Sequence, residues 1–164
     1  MDFSRTVTDG AILSLIASIY LFSILKINAR LLLQDYPEEI RRSVPPKTDE
    51  EKQLSVAFGI PFLAILIAVP FLSTLKIKYQ IGDELSFAMA SLHAFGILLT
   101  FNLIDWLVLD WLVFCTITPR FVVIPAKEGM AAYKNYVYHF KGFLIGTALS
   151  IVVGLIIGAV ILVI

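Results

Sequence analysis

Residues 85–118, LSFAMASLHAFGILLTFNLIDWLVLDWLVFCTIT, are apolar almost throughout and yet carry His93, Asn102, Asp105 and Asp110. A run of this length and hydrophobicity belongs in lipid, where about 20 apolar residues suffice to cross a hydrocarbon layer about 30 Å thick. As one unbroken α-helix the stretch would be about 51 Å long, so it must tilt, break or project from the membrane. A carboxylate in that setting costs several kcal/mol, on the order of a lost buried ion pair, unless it is paired, protonated or wetted.

The rest of the chain has the same character. Of 164 residues 59% are hydrophobic and only 16% charged, and the mean hydropathy is +0.87, outside the range of a soluble core. Four apolar runs are separated by stretches that hold most of the charge. They predict an all-α membrane fold, one transmembrane domain over 1–164, with spans near 10–29, 54–75, 86–112 and 142–164. The loops near 30–53 and 117–141 are expected to carry amphipathic or interfacial segments. The first run lacks the small-residue cleavage pattern of a signal peptide and is expected to be retained.

Local signals place the helix ends. Thr8 or Asp9 is available to cap the first helix, and Thr48 with Glu51 three residues later has capping-box spacing. Pro61 and Pro70 lie inside the second span and each removes a backbone donor, so a bent helix packed against protein is expected there. Pro119 and Pro125 bracket a short apolar segment expected to be extended. Tyr133, Tyr136, Val137 and Phe140 then recur at helical spacing, as in an interfacial helix that leads into the fourth span.

The fourth span has no charged side chain, and Gly142, Gly146, Ser150, Gly154 and Gly158 fall at every fourth position. Such a stripe lets another helix approach closely, either within the chain or in a homo-oligomer formed through helix four.

Basic residues set the expected orientation. The two larger loop regions hold Lys26, Arg30, Arg41, Arg42, Lys47, Lys52, Arg120, Lys127, Lys134 and Lys141, ten in all, against Arg5, Lys76 and Lys78 on the opposite side. The positive-inside bias places the large loops in the cytoplasm and both termini outside the plasma membrane. The expected partners are the lipid bilayer and, through helix four, a second copy; net charge is zero and no basic run suggests nucleic acid. No motif implies a cofactor or a metal, and the single Cys115 reads as a packing residue.

The segments LLLQDYPEEI, VPPKT and FKGFLIG resemble blocks of small, uncharacterised prokaryotic four-helix integral membrane proteins. The resemblance covers most of the chain and implies a membrane protein of this size; it brings no substrate or catalytic residue.

The polar residues define the candidate site. Lys26 and Arg30, at the end of the first helix, are the basic groups nearest in depth to Asp105 and Asp110, and a pairing between them is the first expectation. At about 100° per residue Asp105 lies about 60° from Asn102 but about 140° from Asp110, so the two acids are expected to face different surroundings. Trp106 and Trp111 favour an interfacial depth for the lower part. His93 and His139 read as packing rings.

Three functional classes fit these residues. The first is a structural, assembly or regulatory membrane protein, supported by the lack of any nucleotide loop, ligand spacing or activated nucleophile. The second is a small oligomeric proton- or cation-coupled transporter using Asp105. The third is a membrane-embedded lipid-modifying enzyme using Asp110 and His139.

Overall fold

The computed structural model describes residues 3–164, and Met1 and Asp2 lie outside the described part. The chain is all-α, with four helices long and apolar enough to cross a membrane. We label α1 Phe3–Asn28, α2 the short Glu38–Arg42, α3 Asp49–Ile81, α4 Phe87–Ile104 and α5 Tyr136–Val163. α4 continues without interruption into a π-helical segment, Asp105–Ile117, so the third membrane-length element is Phe87–Ile117. α4 sits centrally and packs on α5, α1 and α3.

The helix ends follow from local chemistry. α1 starts well before Thr8 and Asp9, so neither caps it; the Thr8 hydroxyl instead donates back to the Ser4 carbonyl at 2.9 Å. α3 begins with the expected capping box: Glu51 N donates to Thr48 Oγ1 at 3.2 Å, and Thr48 N donates to Glu51 Oε2 at 2.9 Å. α3 runs through Pro61 and Pro70 as one helix. The Tyr20 hydroxyl of α1 donates to the Phe58 carbonyl at 3.0 Å, so a neighbouring helix supplies a partner in the turn that Pro61 weakens. α3 ends at Gly82, whose φ of 57° is costly for a residue with a Cβ, and Ser86 caps α4 by accepting from Met89 N at 3.3 Å.

Three layers of buried side chains hold the bundle. Leu85, Ala90, Ala94, Ile157 and Ile161 pack at the end that carries the termini, and Leu13, Ile97 and Leu98 pack in the middle. The third layer, at the opposite end, is built from the loops. Ala29, Leu33, Tyr36 and Ile40 meet Phe114, Cys115, Val122, Ile124 and Tyr133 in a cap across the mouth of the bundle. The segment after Pro119 is therefore a series of turns with Val122 and Ile124 buried, not an extended strand, because apolar side chains that meet a folded cap need no membrane to cover them.

The amphipathic stretch before the fourth span is the start of α5 itself. A 3-10 turn, Ala131–Lys134, leads through Asn135, whose side chain caps α5 by accepting from Tyr138 N at 2.9 Å. Tyr136, Val137 and Phe140 are exposed there while Tyr133 and His139 are buried. On α3, Val56, Ile60, Leu63 and Ile67 form an exposed row at helical spacing, a surface for which lipid is the fitting solvent.

The glycine stripe of α5 faces α4 within the chain. A Cβ on Gly146 would collide with the Asn102 side chain, one on Gly158 with the Ser91 hydroxyl, and one on Gly154 would lie 2.9 Å from Phe95 Cβ. Gly142, at the mouth of the bundle, faces open space. These glycines set the close α4–α5 approach, and Ser150 is buried in the same seam.

Candidate functional site: the π-helical acid pair

The segment Asp105–Ile117 positions the site. Its backbone bonds run over five residues, as Thr118 N shows by donating to the Val113 carbonyl at 2.8 Å. The Thr116 hydroxyl makes the same five-residue reach to the Trp111 carbonyl at 2.7 Å. Thr118 then turns into the left-handed region with φ of 47°, and Pro119 follows, so the helix stops.

A π-helix has a wider turn than an α-helix, about 80° per residue in place of about 100°. Residues five apart therefore fall on nearly the same face. Asp105 and Asp110 are brought together, and the expectation of an acid pair separated by 140° is corrected: the angle assumed α-periodicity, and the backbone does not keep it. Asp110, His139 and Asp35 all lie near enough to Asp105 to act on it electrostatically. Trp106 and Trp111, also five apart, meet with ring centroids 4.7 Å apart in an edge-to-face contact.

The sequence contains the signal for this register. Residues 105–113 read DWLVLDWLV, in which Asp-Trp-Leu-Val recurs after five residues, the hydrogen-bond spacing of a π-helix and not of an α-helix. The bulky rings suit the wider turn: Trp106 stacks on Phe143 at 4.5 Å and lies 5.3 Å from Phe140, while Trp111 meets Tyr136 at 5.6 Å.

His139, in the first turns of α5, completes the cluster. Its Nδ1 lies 3.0 Å from Asp110 Oδ1, and the ring is only 5% exposed. Phe114 and Tyr138 flank it with centroids at 4.9 and 5.3 Å. Asp110 thus orients the imidazole through Nδ1 and leaves Nε2 as the proton-accepting or proton-donating atom. Among the described residues, the buried side-chain polar atoms without a hydrogen-bond partner are Ser91 Oγ, Trp106 Nε1 and His139 Nε2. Two of the three belong to this cluster, where a buried polar atom without a partner calls for a chemical reason.

The cap closes the site from the loop end. The Tyr36 hydroxyl donates to the Val122 carbonyl at 2.7 Å, and Ile124 N donates to the Tyr133 hydroxyl at 2.9 Å. The Tyr36 ring meets Phe114 and Tyr133 edge to face, Phe114 and Tyr133 meet at a tilt, and Phe114 touches His139. Burial raises the ionisation of both phenols above its ordinary range. Asp35, just before Tyr36, accepts from Gln34 Nε2 at 2.9 Å and lies within the electrostatic reach of Asp110.

The basic residues expected beside the acids are elsewhere. Arg30 donates from Nε to Glu51 Oε1 at 2.6 Å and from Nη2 to Glu51 Oε2 at 3.0 Å, and its Nη2 also reaches the Pro45 and Pro46 carbonyls at 3.2 and 3.1 Å. The 3-10 turn Ala29–Asp35 swings it toward the start of α3, where a fork of donors matches a carboxylate without entering the bundle. Lys26 Nζ lies 6.0 Å from the centre of the Phe121 ring. Among the described residues Asp105 is in no ion pair with a basic side chain.

Asn102 is separate from the acids in its task. Its amide donates to the Phe143 carbonyl and to Thr147 Oγ1, both at 2.9 Å, so it clasps α4 to α5 over Gly146. Cys115 is buried in the cap layer and packs there. Among the described residues no group of three or more His, Cys, Asp or Glu is arranged to hold a metal ion.

The chain matches no family model, no curated protein and no solved structure.

Proposed function

We propose that this multi-pass membrane protein binds a proton or monovalent cation at the Asp105–Asp110–His139 cluster and couples that binding to transport. The observation that carries the reading is the register of the π segment, which sets two carboxylates on one face, with the His139 imidazole 3.0 Å from Asp110. With His139 protonated the three groups sum to one negative charge, and neutrality requires one more positive charge. In a low-dielectric setting that requirement is a strong one, because unpaired charge is far more costly there than in water.

The surroundings suit exchange. Asp110 fixes the imidazole and Nε2 is the free proton-carrying atom, while the tyrosine-rich cap shields the cluster on the loop side. By the positive-inside bias that side is cytoplasmic and both termini are outside. A carboxylate facing a bundle interior is a common element of proton and cation paths.

The test is a flux assay in proteoliposomes with an entrapped pH-sensitive dye under an imposed gradient. Wild type is expected to dissipate the gradient, Asp105→Asn and Asp110→Asn to lose at least tenfold of that rate, and Arg30→Lys to retain it. Equal flux in wild type and both asparagine variants removes the acids from any transport.

A second reading has its own observation. The α4–α5 seam is closely packed at Gly146, Gly154 and Gly158, as befits a structural or regulatory bundle in which Asp110–His139 ties two helices together. On that reading wild-type liposomes hold the gradient, and the acid variants change only thermal stability or association with a partner.

A further inference from the structure

At the loop end of the bundle an open cleft of about 510 Å³ lies between α2 and the start of α5. Glu39 of α2 lines it together with Lys134, Asn135, Tyr136 and Val137. The volume is in the range of small-ligand sites, about 300–1,000 Å³. None of these residues belongs to the acid cluster. We infer that the cleft binds the headgroup of a phospholipid that carries a primary ammonium beside its phosphate, as phosphatidylethanolamine does.

Two opposite charges border the cleft without satisfying each other. Among the described residues neither Glu39 nor Lys134 is in an ion pair, whereas Glu38, one position before Glu39, is paired with Arg42. A ligand with one charge of each sign completes both. Its phosphate belongs with Lys134, where α5 begins. There Asn135 Oδ1 accepts from Tyr138 N at 2.9 Å, and the amides of Tyr136 and Val137 precede the first bonded turn of the helix. Its ammonium belongs with Glu39, whose ionised carboxylate only accepts.

The cationic end must bear N–H donors. A quaternary ammonium is held by the faces of aromatic rings. Among the described residues lining the cleft Tyr136 is the one ring, and it is engaged elsewhere: it meets Trp111 edge to face, and its hydroxyl lies 3.0 Å from Thr116 Oγ1. A headgroup with a net negative charge and no amine would set that charge against Glu39.

Val137 joins the cleft to the hydrocarbon. It lines the cleft and also begins an exposed apolar stripe, Val137, Leu144, Ile151 and Leu155, that keeps within about 40° along α5. A molecule with its polar end in the cleft therefore lays its acyl chains along a surface suited to lipid. The depth agrees: Trp111 Nε1 donates to the Tyr136 carbonyl at 3.4 Å, and Trp and Tyr rings favour the headgroup boundary.

The inference does not depend on the transport reading. It is tested on the full chain by native mass spectrometry, titrating phosphatidylethanolamine, phosphatidylcholine and phosphatidylglycerol with the same acyl chains in one detergent. The ethanolamine lipid is expected to bind about tenfold more tightly than either of the others, the worth of one charge-assisted contact. Glu39→Gln should remove that preference, Glu39→Lys should turn it toward phosphatidylglycerol, and Lys134→Gln should weaken binding of all the lipids. Both side chains are exposed, so the variants should keep the wild-type melting temperature. Glycerophosphoethanolamine, the same headgroup without acyl chains, should bind about tenfold or more weakly than the lipid, because it buries no apolar surface. The inference is overturned if wild type binds the lipids equally, if Glu39→Gln keeps the preference, or if glycerophosphoethanolamine binds as tightly as the lipid, which would assign the cleft to a soluble ligand.

Discussion

His139 Nδ1 meets Asp110 Oδ1 at 3.0 Å, and this contact joins the π segment to the first turns of α5. It makes the two residues partners even though they are 29 positions apart and a cap of turns lies between.

Removing either member leaves a polar group in a largely buried place. His139→Gln and Asp110→Asn are each expected to destabilise the protein by about 2 kcal/mol, the lower end for a broken buried pair because Asp110 is partly exposed. The double variant should lose less than the sum by about 1 kcal/mol or more, as residues in direct contact do. Thermal unfolding of the four proteins in one detergent gives the cycle; strict additivity would mean that the contact contributes nothing.

The π register has an optical signature. Trp106 and Trp111 at 4.7 Å should produce an exciton couplet in the circular dichroism spectrum, and Trp106→Phe or Trp111→Phe should each abolish it entirely. With α-periodicity the rings would point about 140° apart and no couplet would be seen in wild type.

The glycine stripe is predicted to be uneven. Gly146→Ala drives a methyl into Asn102 and is expected to cost about 1–3 kcal/mol, the range for overpacking. Gly142→Ala meets open space and should be neutral or stabilising by about 0.5–1 kcal/mol through helix propensity. The two melting curves, compared in the same detergent, check the contrast, and Asn102→Ala should recover part of the Gly146→Ala loss.

The cap makes stability sensitive to alkali. Burial raises the Tyr36 and Tyr133 ionisations above their unfolded values, so the folded state keeps those protons when the unfolded chain has begun to lose them. Their contribution is complete below the ordinary tyrosine value of about 10 and declines as pH rises past it. Melting temperature should therefore fall above about pH 10, and the fall should be shallower in Tyr36→Phe. That variant also loses the bond to the Val122 carbonyl, for a baseline cost of about 1 kcal/mol at neutral pH.

Much of the fold can be read from hydropathy and end signals, and particular residues show where that reading stops. The Thr48–Glu51 box starts α3 because both of its bonds form within four residues. Thr8 and Asp9 have comparable chemistry but lie inside α1, because the apolar helix begins earlier than its hydrophobic run suggests. Asn102 was visible as a polar residue in an apolar helix, yet its clasp onto Phe143 and Thr147 depends on how closely Gly146 lets α5 approach.

By itself the sequence determined an all-α membrane protein with four long apolar helices, and the residues whose chemistry sets them apart in it. Those properties are sums over about 20 neighbouring residues, the length lipid requires. Tertiary structure decided that Arg30 belongs to Glu51, that His139 belongs to Asp110, and that the glycines serve α4. These pairings depend on backbone periodicity and on the approach of distant helices. For Asp105 and Asp110 a change of about 20° per residue over five positions turned two faces into one.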